Sequence, residues 1–289
     1  MKLRLLIVLL FFSFCQNGSS AITIGLLDDI KSSYIAVSED GRAIDGNTGK
    51  ILFPVRKMYR YDIKSTKRGV FVKLSDRRYY NIRTNNLIIV PGTNGFVSTK
   101  EKWYRGNLII KEGDDGFTVI NDVSLEEYLL GVVPSEMPSS WNIEALKAQA
   151  VVARSYALAN LGKRLRFGYD LKDTPEDQAY GGASGEKNRT TQAVLATKGK
   201  VLVYDGKVIN ACYCASAGGR TRLSSEVWNT TPVPYFHSVY SFDSEIKKKG
   251  HGVGLSQYGA NFLAKTGCNA YQILNYFYRD VALGTLKSN

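Results

Sequence analysis

The sequence predicts an α+β protein with a β-rich N-terminal half, followed by a core built from helices and a β-hairpin. From Ile22 to about Ile120, short runs rich in β-branched and aromatic residues alternate with turn pairs such as Asp40-Gly41, which is typical of strands. From Val123 onward, the apolar residues recur at helical spacing. We therefore expect a β-rich region over residues 22–120 and an α+β core over residues 121–289.

The first 21 residues have the composition of a secretory signal peptide. Lys2 and Arg4 precede an apolar run that is too short to cross a bilayer comfortably, and small residues follow near Ala21. A lipid anchor at Cys15 and a retained signal anchor are alternatives. The sequence thus predicts an exported protein, periplasmic or associated with the cell envelope.

The chain has 289 residues and a formal net charge of +12. Such a charge favours a polyanionic partner, and export argues against nucleic acid. Anionic lipid and a cell-wall polymer bearing carboxylates remain. Basic residues stand beside aromatic ones in Arg60–Arg68 and Lys102–Arg105, as on glycan-binding faces but also on ordinary solvated strands.

The second half carries clear helix and hairpin signals. Ser124 followed by Glu127 forms a capping box, which predicts a short helix that stops at Gly131. The other predicted elements are a helix from Asn142 or Ile143 to Leu161, helices over about 188–198, 257–265 (capped by Ser256) and 270–278, and a hairpin around Asp205-Gly206. A polar, glycine-containing loop over residues 168–185 is long enough to suggest a function.

Glu136 stands between Pro134 and Pro138, just before the long helix. Proline fixes its own φ and favours an extended conformation in the residue before it, so Val133 and Met137 are restricted as well. A carboxylate on such a stiff link is a candidate for acid–base chemistry. An ordinary connection between helices is the alternative.

Lys147 and Arg154 lie seven residues apart on the long helix and share a face close to its apolar stripe. A cation beside a buried stripe needs a partner. We expect the pair to point into a cleft near Glu136, with extension of both side chains to solvent as the alternative.

A single carboxylate, without a second one nearby, suits a glycan cleavage in which one acid carries out both proton transfers. Ordinary glycosidases use two carboxylates, and no second acid stands in a comparable setting. In a one-acid reaction, a hydroxyl of the sugar attacks C1 while the glutamate serves first as acid and then as base. A hydrolase with Ser216, Ser256 or Cys214 against His251 remains a rival, although G-x-S-x-G and H-E-x-x-H motifs are absent from the sequence.

Cysteine usage leaves two questions open. Beyond Cys15, the odd number formed by Cys212, Cys214 and Cys268 implies no disulfide framework, but one bridge from Cys268 is possible. The C-x-C spacing is unusual for zinc, and burial of both thiols is favoured over a metal site.

Three stretches in order resemble the stage II sporulation protein D family and its amidase-enhancer relatives: Val123–Leu158, Lys198–Thr221 and Gly250–Ala260. The resemblance implies a lytic transglycosylase that acts on peptidoglycan strands already stripped of stem peptides by an amidase. The family's catalytic glutamate falls on Glu136, and its functional lysine and arginine fall on Lys147 and Arg154.

The sequence departs from the family pattern at two places. Cys214 stands where relatives often have histidine, and the interval Tyr235–Gly250 looks short. Some relatives carry zinc nearby, which leaves a metal here open.

We predict that Glu136 is the general acid and base, without a cofactor, on peptidoglycan glycan strands. The residues predicted to contact substrate are Lys147, Arg154, Gln178, Tyr180, Ser216, His251, Ser256 and Gln257. The alternative is a non-catalytic peptidoglycan-binding protein that recruits or stimulates an N-acetylmuramoyl-L-alanine amidase.

Overall fold

The computed structural model describes residues 21–75 and 78–286. The predicted signal peptide and Cys15 lie outside these ranges. Within them, every helix is too short or too polar to cross a membrane.

The described residues form strands throughout the N-terminal half and both element types after it. The strands, in chain order, are β1 (Ala21–Ile30), β2 (Ser32–Val37), β3 (Gly41–Asp45), β4 (Ile51–Val55), β5 (Tyr61–Thr66), β6 (Gly69–Ser75), β7 (Arg78–Ile82), β8 (Asn86–Val90), β9 (Val97–Thr99), β10 (Lys102–Tyr104), β11 (Asn107–Glu112), β12 (Phe117–Ser124), β13 (Leu171–Lys172), β14 (Lys200–Tyr204), β15 (Lys207–Val208), β16 (Tyr213–Cys214), β17 (Leu255–Ser256) and β18 (Ala282–Thr285). The helices are α1 (Leu125–Glu136), α2 (Ile143–Ala159), α3 (Asn188–Ala196), α4 (Ser224–Trp228), α5 (Gln257–Lys265) and α6 (Ala270–Phe277).

The first twelve strands make two sheets, with one later strand added. The larger sheet has the order β13-β1-β12-β11-β8-β3-β4, and the second has the order β10-β9-β2-β5-β6-β7. Alternate residues such as Ile35 and Val37 on β2 are buried, as expected for strands with one face on a core. The predicted α+β class with a β-rich N-terminal half is confirmed.

The first helix is longer than the sequence predicts. Ser124 caps it as expected, with its side chain accepting the Glu127 N–H, but α1 continues through Gly131 to Glu136. The glycine serves packing rather than helix termination, because a Cβ at Gly131 would lie 2.6 Å from the ring of Tyr180. Pro134 is within the last turn, where it removes one N–H and the helix ends two residues later.

Helix α2 separates two hydrophobic cores. Ala150, Ala153 and Ala157 pack into the core shared by the sheets and α1. Ala145 and Val152 pack into a second core with α5 and α6. Small residues on both sides let the neighbouring elements approach closely, so this helix fixes the C-terminal elements against α1.

The C-terminal elements largely match their sequence signals. The hairpin β14–β15 turns at Asp205 and Gly206, both at positive φ, and β18 adds a third strand that the sequence analysis did not find. Helix α5 has the predicted bounds, and Ser256 caps it by accepting the Gly259 N–H. Helix α3 begins at Asn188 with Lys187 as its N-cap, and α6 ends at Phe277.

Candidate active site

Glu136 is the last residue of α1, and its position follows from the prolines around it. Met137, before Pro138, is extended with φ −134° and ψ 134°, as the sequence predicts. Val133 is instead helical, because α1 continues for three residues beyond it to Glu136. The half-buried Glu136 side chain therefore projects from a rigid helix end.

The polar loop after α2 delivers a backbone donor to this carboxylate. The Ala179 N–H donates to Oε1 of Glu136 over 2.7 Å. Two residues later, the Gly181 N–H donates to the Gly131 carbonyl over 3.2 Å, so the loop is tied to the end of α1. Neither the amide nor its carrier residue could be identified from the sequence, because backbone donors have no side-chain signature.

Burial raises the pKa of Glu136 above the ordinary glutamate value. The Ala179 N–H and the side chains of Tyr213 and Gln257 act in the opposite direction, but burial dominates. A raised pKa keeps more of the carboxyl protonated near neutral pH, as a general acid requires. The nearby donors can stabilise the carboxylate once its proton has left.

Gln178 reaches Glu136 through Tyr213. It is fully buried; its Nε2 donates to the Tyr213 hydroxyl over 3.2 Å, and its Oε1 accepts from the Tyr128 hydroxyl over 3.4 Å. This network holds the Tyr213 hydroxyl beside the carboxylate. Gln178 therefore belongs to the site, but it lies behind the surface that substrate would contact. Tyr213 also belongs to the site, and the sequence analysis missed it.

Gln257, the first residue of α5, lies on the other side of the carboxylate. Its amide is close enough to Glu136 to lower the glutamate pKa. The side chain is 4% exposed, and among the described residues its Nε2 completes no hydrogen bond. This nitrogen is shielded from solvent, so the acceptor within its reach is the Glu136 carboxylate.

The four acids of the polar loop are bound elsewhere. Asp173 pairs with Lys100 at 2.8 Å, and Asp170 accepts from the Thr23 hydroxyl at 2.7 Å. The other two acids, Glu176 and Asp177, both pair with Arg164. A second carboxylate from this loop is therefore not available beside Glu136 in the described structure.

Lys147 and Arg154 both pair with acids other than Glu136. Arg154 is fully buried and forms two bonds of 2.7–2.8 Å with Glu126, roughly 15 Å back along α1 from Glu136. Tyr156, whose ring lies 6.2 Å from that of Tyr213, is about 160° round α2 from Arg154. Lys147 pairs at 2.7 Å with Glu144. The two residues share a face of α2, and the arginine on that face meets the first turn of α1 rather than its last residue, Glu136.

Three other predicted contact residues belong to the protein interior. Tyr180 is 3% exposed, and its hydroxyl donates to Oδ1 of Asn121 over 2.9 Å. Ser216 and Ser256 are fully buried and both donate to Oδ2 of Asp243, at 3.0 and 2.6 Å. These side chains have structural partners and do not line a groove.

His251 is half-buried and bonded within its own loop. Its Nδ1 accepts the Val253 N–H over 2.9 Å, and its ring lies 5.1 Å from that of Trp228. Burial and the nearby Lys248 lower the pKa of His251, so the ring is neutral near pH 7. Together with the engagement of both serines, this geometry gives no support to a serine hydrolase.

The cysteines also lack a reactive setting. Burial raises the pKa of Cys212 and of Cys214 to about 12, which disfavours thiolate chemistry. Both residues and Cys268 are free thiols. Within residues 21–75 and 78–286, groups of three or more potential metal ligands are absent.

The sequence around this site is similar to that of known proteins. A family model described as stage II sporulation protein, SpoIID, matches residues 113–204, which include α1, α2 and the polar loop. An amidase enhancer of Bacillus subtilis (strain 168) is 43% identical over 162 residues, which cover 54% of this chain and 22% of the relative.

Two further relatives extend the comparison. An uncharacterized protein of Brachyspira hyodysenteriae is 35% identical over 153 residues, 53% of this chain and 41% of the relative. Stage II sporulation protein D of Bacillus amyloliquefaciens is 27% identical over 264 residues, 58% of this chain and 76% of the relative. The chain thus spans less than half the length of the amidase enhancer and of the Brachyspira protein.

Proposed function

We propose that this chain, which is similar to the stage II sporulation protein D and amidase-enhancer family, is a lytic transglycosylase of peptidoglycan. This similarity supports a role at the cell wall. Its substrate would be glycan strands freed of stem peptides, with cleavage between N-acetylmuramic acid and N-acetylglucosamine. Export through the predicted signal peptide would bring the enzyme to this polymer.

In the proposed reaction, Glu136 handles both proton transfers. Its protonated carboxyl gives a proton to the bridging oxygen as the bond between that oxygen and C1 of the muramic acid breaks. The 6-hydroxyl of the same muramic acid then forms a bond to C1 and releases its proton to the Glu136 carboxylate. The product is a 1,6-anhydro sugar, water is not consumed, and Glu136 returns to its starting state.

The raised pKa of Glu136, together with the engagement of all four carboxylates of the polar loop elsewhere in the described structure, supports this mechanism most strongly. A two-carboxylate glycosidase needs a partner acid about 5–10 Å from the first, and the loop acids are held by cations and by Thr23. The Ala179 N–H and the Tyr213 hydroxyl would stabilise the anion midway through the reaction.

Mass spectrometry of products from peptide-free glycan strands tests the proposal. We expect fragments with anhydro-muramic ends, one water lighter than the hydrolysis products, from the natural protein. Glu136→Gln should yield none, whereas Glu127→Gln, which alters the half-exposed cap at the other end of α1, should retain them. Hydrolysed ends, or equal cleavage by the Glu136 variant, would refute the mechanism.

The relative named amidase enhancer supports a second candidate, a binding protein that recruits or stimulates a cell-wall amidase. Under that function, the natural protein would yield no fragments, yet it would bind the strands and accelerate peptide release by an added amidase. Glu136→Gln would then leave the acceleration unchanged.

A further inference from the structure

The outward face of strands β5, β6 and β7 carries a basic surface that the candidate active site does not use. The inward side chains of these strands, such as Val72, are buried in the core shared by the sheets. On the outward face, cations stand opposite aromatic rings: Lys64 pairs in register with Phe71, and Lys73 with Tyr79. This face of the sheet is therefore both basic and partly aromatic.

The turn between β5 and β6 adds two more cations beside the strands. The Thr66 hydroxyl accepts the Arg68 N–H over 3.1 Å and donates to the Gly69 carbonyl over 3.2 Å, which fixes the shape of the turn. Lys67 and Arg68 line a recess of about 650 Å³ together with Lys64 and the strand residues opposite it. The surface is thus concave, and its cations converge on one space.

Positive charge dominates this recess. Its acid, Asp62, is bound by Arg60 over 3.0 Å. Lys64, Lys67 and Arg68 are exposed, and they form no ion pair within the part of the chain that the structure describes. Like charges on neighbouring strands repel one another. An anion placed in the recess would therefore be attracted by several cations at once and would relieve their repulsion.

Protection of a sheet edge does not explain these cations. Lysines often stand on edge strands, where they prevent pairing with another chain. Strand β7 is the edge of this sheet, whereas Lys64 belongs to β5 and Lys73 to β6, which have neighbouring strands on both sides. The cations therefore mark the face of the sheet rather than its edge.

The basic face lies apart from Glu136. The polar loop that bonds to Glu136 also contacts β10, where the Trp103 N–H donates to the Ser184 hydroxyl over 2.9 Å. Strand β6 is four positions away from β10 in the sheet, or roughly 20 Å. The face also precedes residue 113, where the match to the family model begins. It is a separate surface of the N-terminal half.

We infer that the outward face of β5, β6 and β7 is a second, non-catalytic binding site for an anionic glycan strand. In a peptide-free strand, every muramic acid carries a lactyl carboxylate. These carboxylates pair with Lys64 and Arg68, and a sugar face packs on Tyr79, which is 58% exposed. Attachment here raises the local concentration of strand at Glu136. The inference rests on the proposed function for its ligand, but not on catalysis.

Fluorescence anisotropy with labelled peptide-free strands tests the site, and the same strands with their carboxylates converted to amides serve as the uncharged ligand. All proteins carry Glu136→Gln, so that the strands stay intact. We expect Lys64→Gln with Arg68→Gln to weaken binding of the charged strands about tenfold and to make it less dependent on salt. The amidated strands should bind weakly, and equally, to the proteins with and without these two substitutions.

A matched control removes the same charge from the other sheet. Arg42→Gln with Lys50→Gln alters two exposed cations at β3 and just before β4, and it should bind the charged strands normally. Tyr79→Ala should weaken binding about threefold without changing its salt dependence, because it removes a ring and no charge. The thermal unfolding temperature of each variant shows whether its fold is intact.

Equal affinities in the two double variants would overturn the inference, because net charge alone would then govern binding. So would a Lys64→Gln, Arg68→Gln protein that binds the strands normally but no longer binds phosphatidylglycerol vesicles, since the face would then contact a lipid surface. Anhydro ends are measured separately, on the natural protein. Their absence would refute the proposed cleavage, whereas carboxylate-dependent binding lost only in the Lys64 and Arg68 variant would still support this site.

Discussion

Glu136 and Asp243 both lie after β12, and the two carboxylates are largely shielded from solvent. They differ in the number of hydrogen-bond donors around them. Asp243, 3% exposed, accepts hydrogen bonds of 2.5–3.0 Å from five donors. The donors are the hydroxyls of Ser216, Ser241 and Ser256 and the N–H groups of Ala217 and Gly219. Glu136 accepts a hydrogen bond of 2.7 Å from the Ala179 N–H, and the side chains of Tyr213 and Gln257 are the other donors near it.

The difference in donors decides the charge of each group. Burial alone would raise both pKa values, but hydrogen bonds from Ser241, Ser256, Gly219 and Ala217 lower the pKa of Asp243, whereas burial dominates at Glu136 and raises its pKa. Asp243 is therefore an anchor that stays charged near neutral pH and joins the segments that carry Ser216, Ser241 and Ser256. Glu136 keeps a proton more readily, and this is the property that chemistry at a glycosidic oxygen needs.

The largest expected effect comes from Glu136→Gln. Loss of the general acid should lower the cleavage rate by roughly 10²–10⁴-fold. A folded-state pKa above the unfolded one favours folding at low pH and costs stability as pH rises through the folded pKa. The variant should therefore melt at a higher temperature than the natural protein at pH 7, and the difference should shrink towards pH 4. A lower melting temperature at pH 7 would show that Glu136 is structural.

Asp243→Asn should chiefly affect stability. The amide offers one acceptor in place of two and turns an NH₂ towards groups that already donate, at a cost of about 3–5 kcal/mol in the free energy of unfolding. Because the pKa of Asp243 is lowered, its contribution is present above the ordinary aspartate pKa and is lost as pH falls through the folded value. Urea unfolding at pH 7 and in acid measures the cost of the substitution and its dependence on pH. An unchanged free energy of unfolding at pH 7 would contradict the anchor role.

Arg154→Met and Lys147→Met compare the loss of a buried ion pair with the loss of a half-exposed one. The first removes the cation that pairs with Glu126 in the first turn of α1 and should cost about 3–5 kcal/mol. The second breaks a pair with Glu144 in which both side chains are roughly one-third exposed, and should cost about 0–1 kcal/mol. Denaturant unfolding gives both values. If either variant lost catalysis while keeping its stability and fold, the original expectation of a role near Glu136 would be restored.

The smallest effect should come from Tyr213→Phe, which removes a hydroxyl that lowers the Glu136 pKa. The rate should fall roughly two- to tenfold. The pH at which activity declines on the basic side should move upward, because the protonated acid persists to higher pH. A rate–pH profile shows this shift, which general damage to the fold would not produce.

Local signals in the sequence predicted the elements well, and long-range contacts account for the errors. Ser256 and Gly267 bracket α5 within its own sequence, so both bounds were predictable. The end of α1 was not, because Gly131 accommodates Tyr180, a residue far along the chain. The stiff link at Glu136 was visible from its two prolines.

The same distinction applies to the site. The spacing of Lys147 and Arg154 gave their common face correctly, but it could not tell that Arg154 pairs with Glu126 and Lys147 with Glu144. Asp243 lies in the interval that looked short, and no local pattern marks it as the partner of three serines. Tyr213 falls within a stretch that resembles the family, but only the fold shows its hydroxyl beside Glu136.

Titration of the two carboxyl groups by ¹³C NMR tests the central claim most directly. The signals are assigned by comparison with Glu136→Gln and Asp243→Asn. The structure predicts that Glu136 titrates above the ordinary glutamate pKa and Asp243 below the ordinary aspartate pKa. A Glu136 midpoint at or below the ordinary value would contradict the account, because the proposed acid would then hold too little proton at neutral pH.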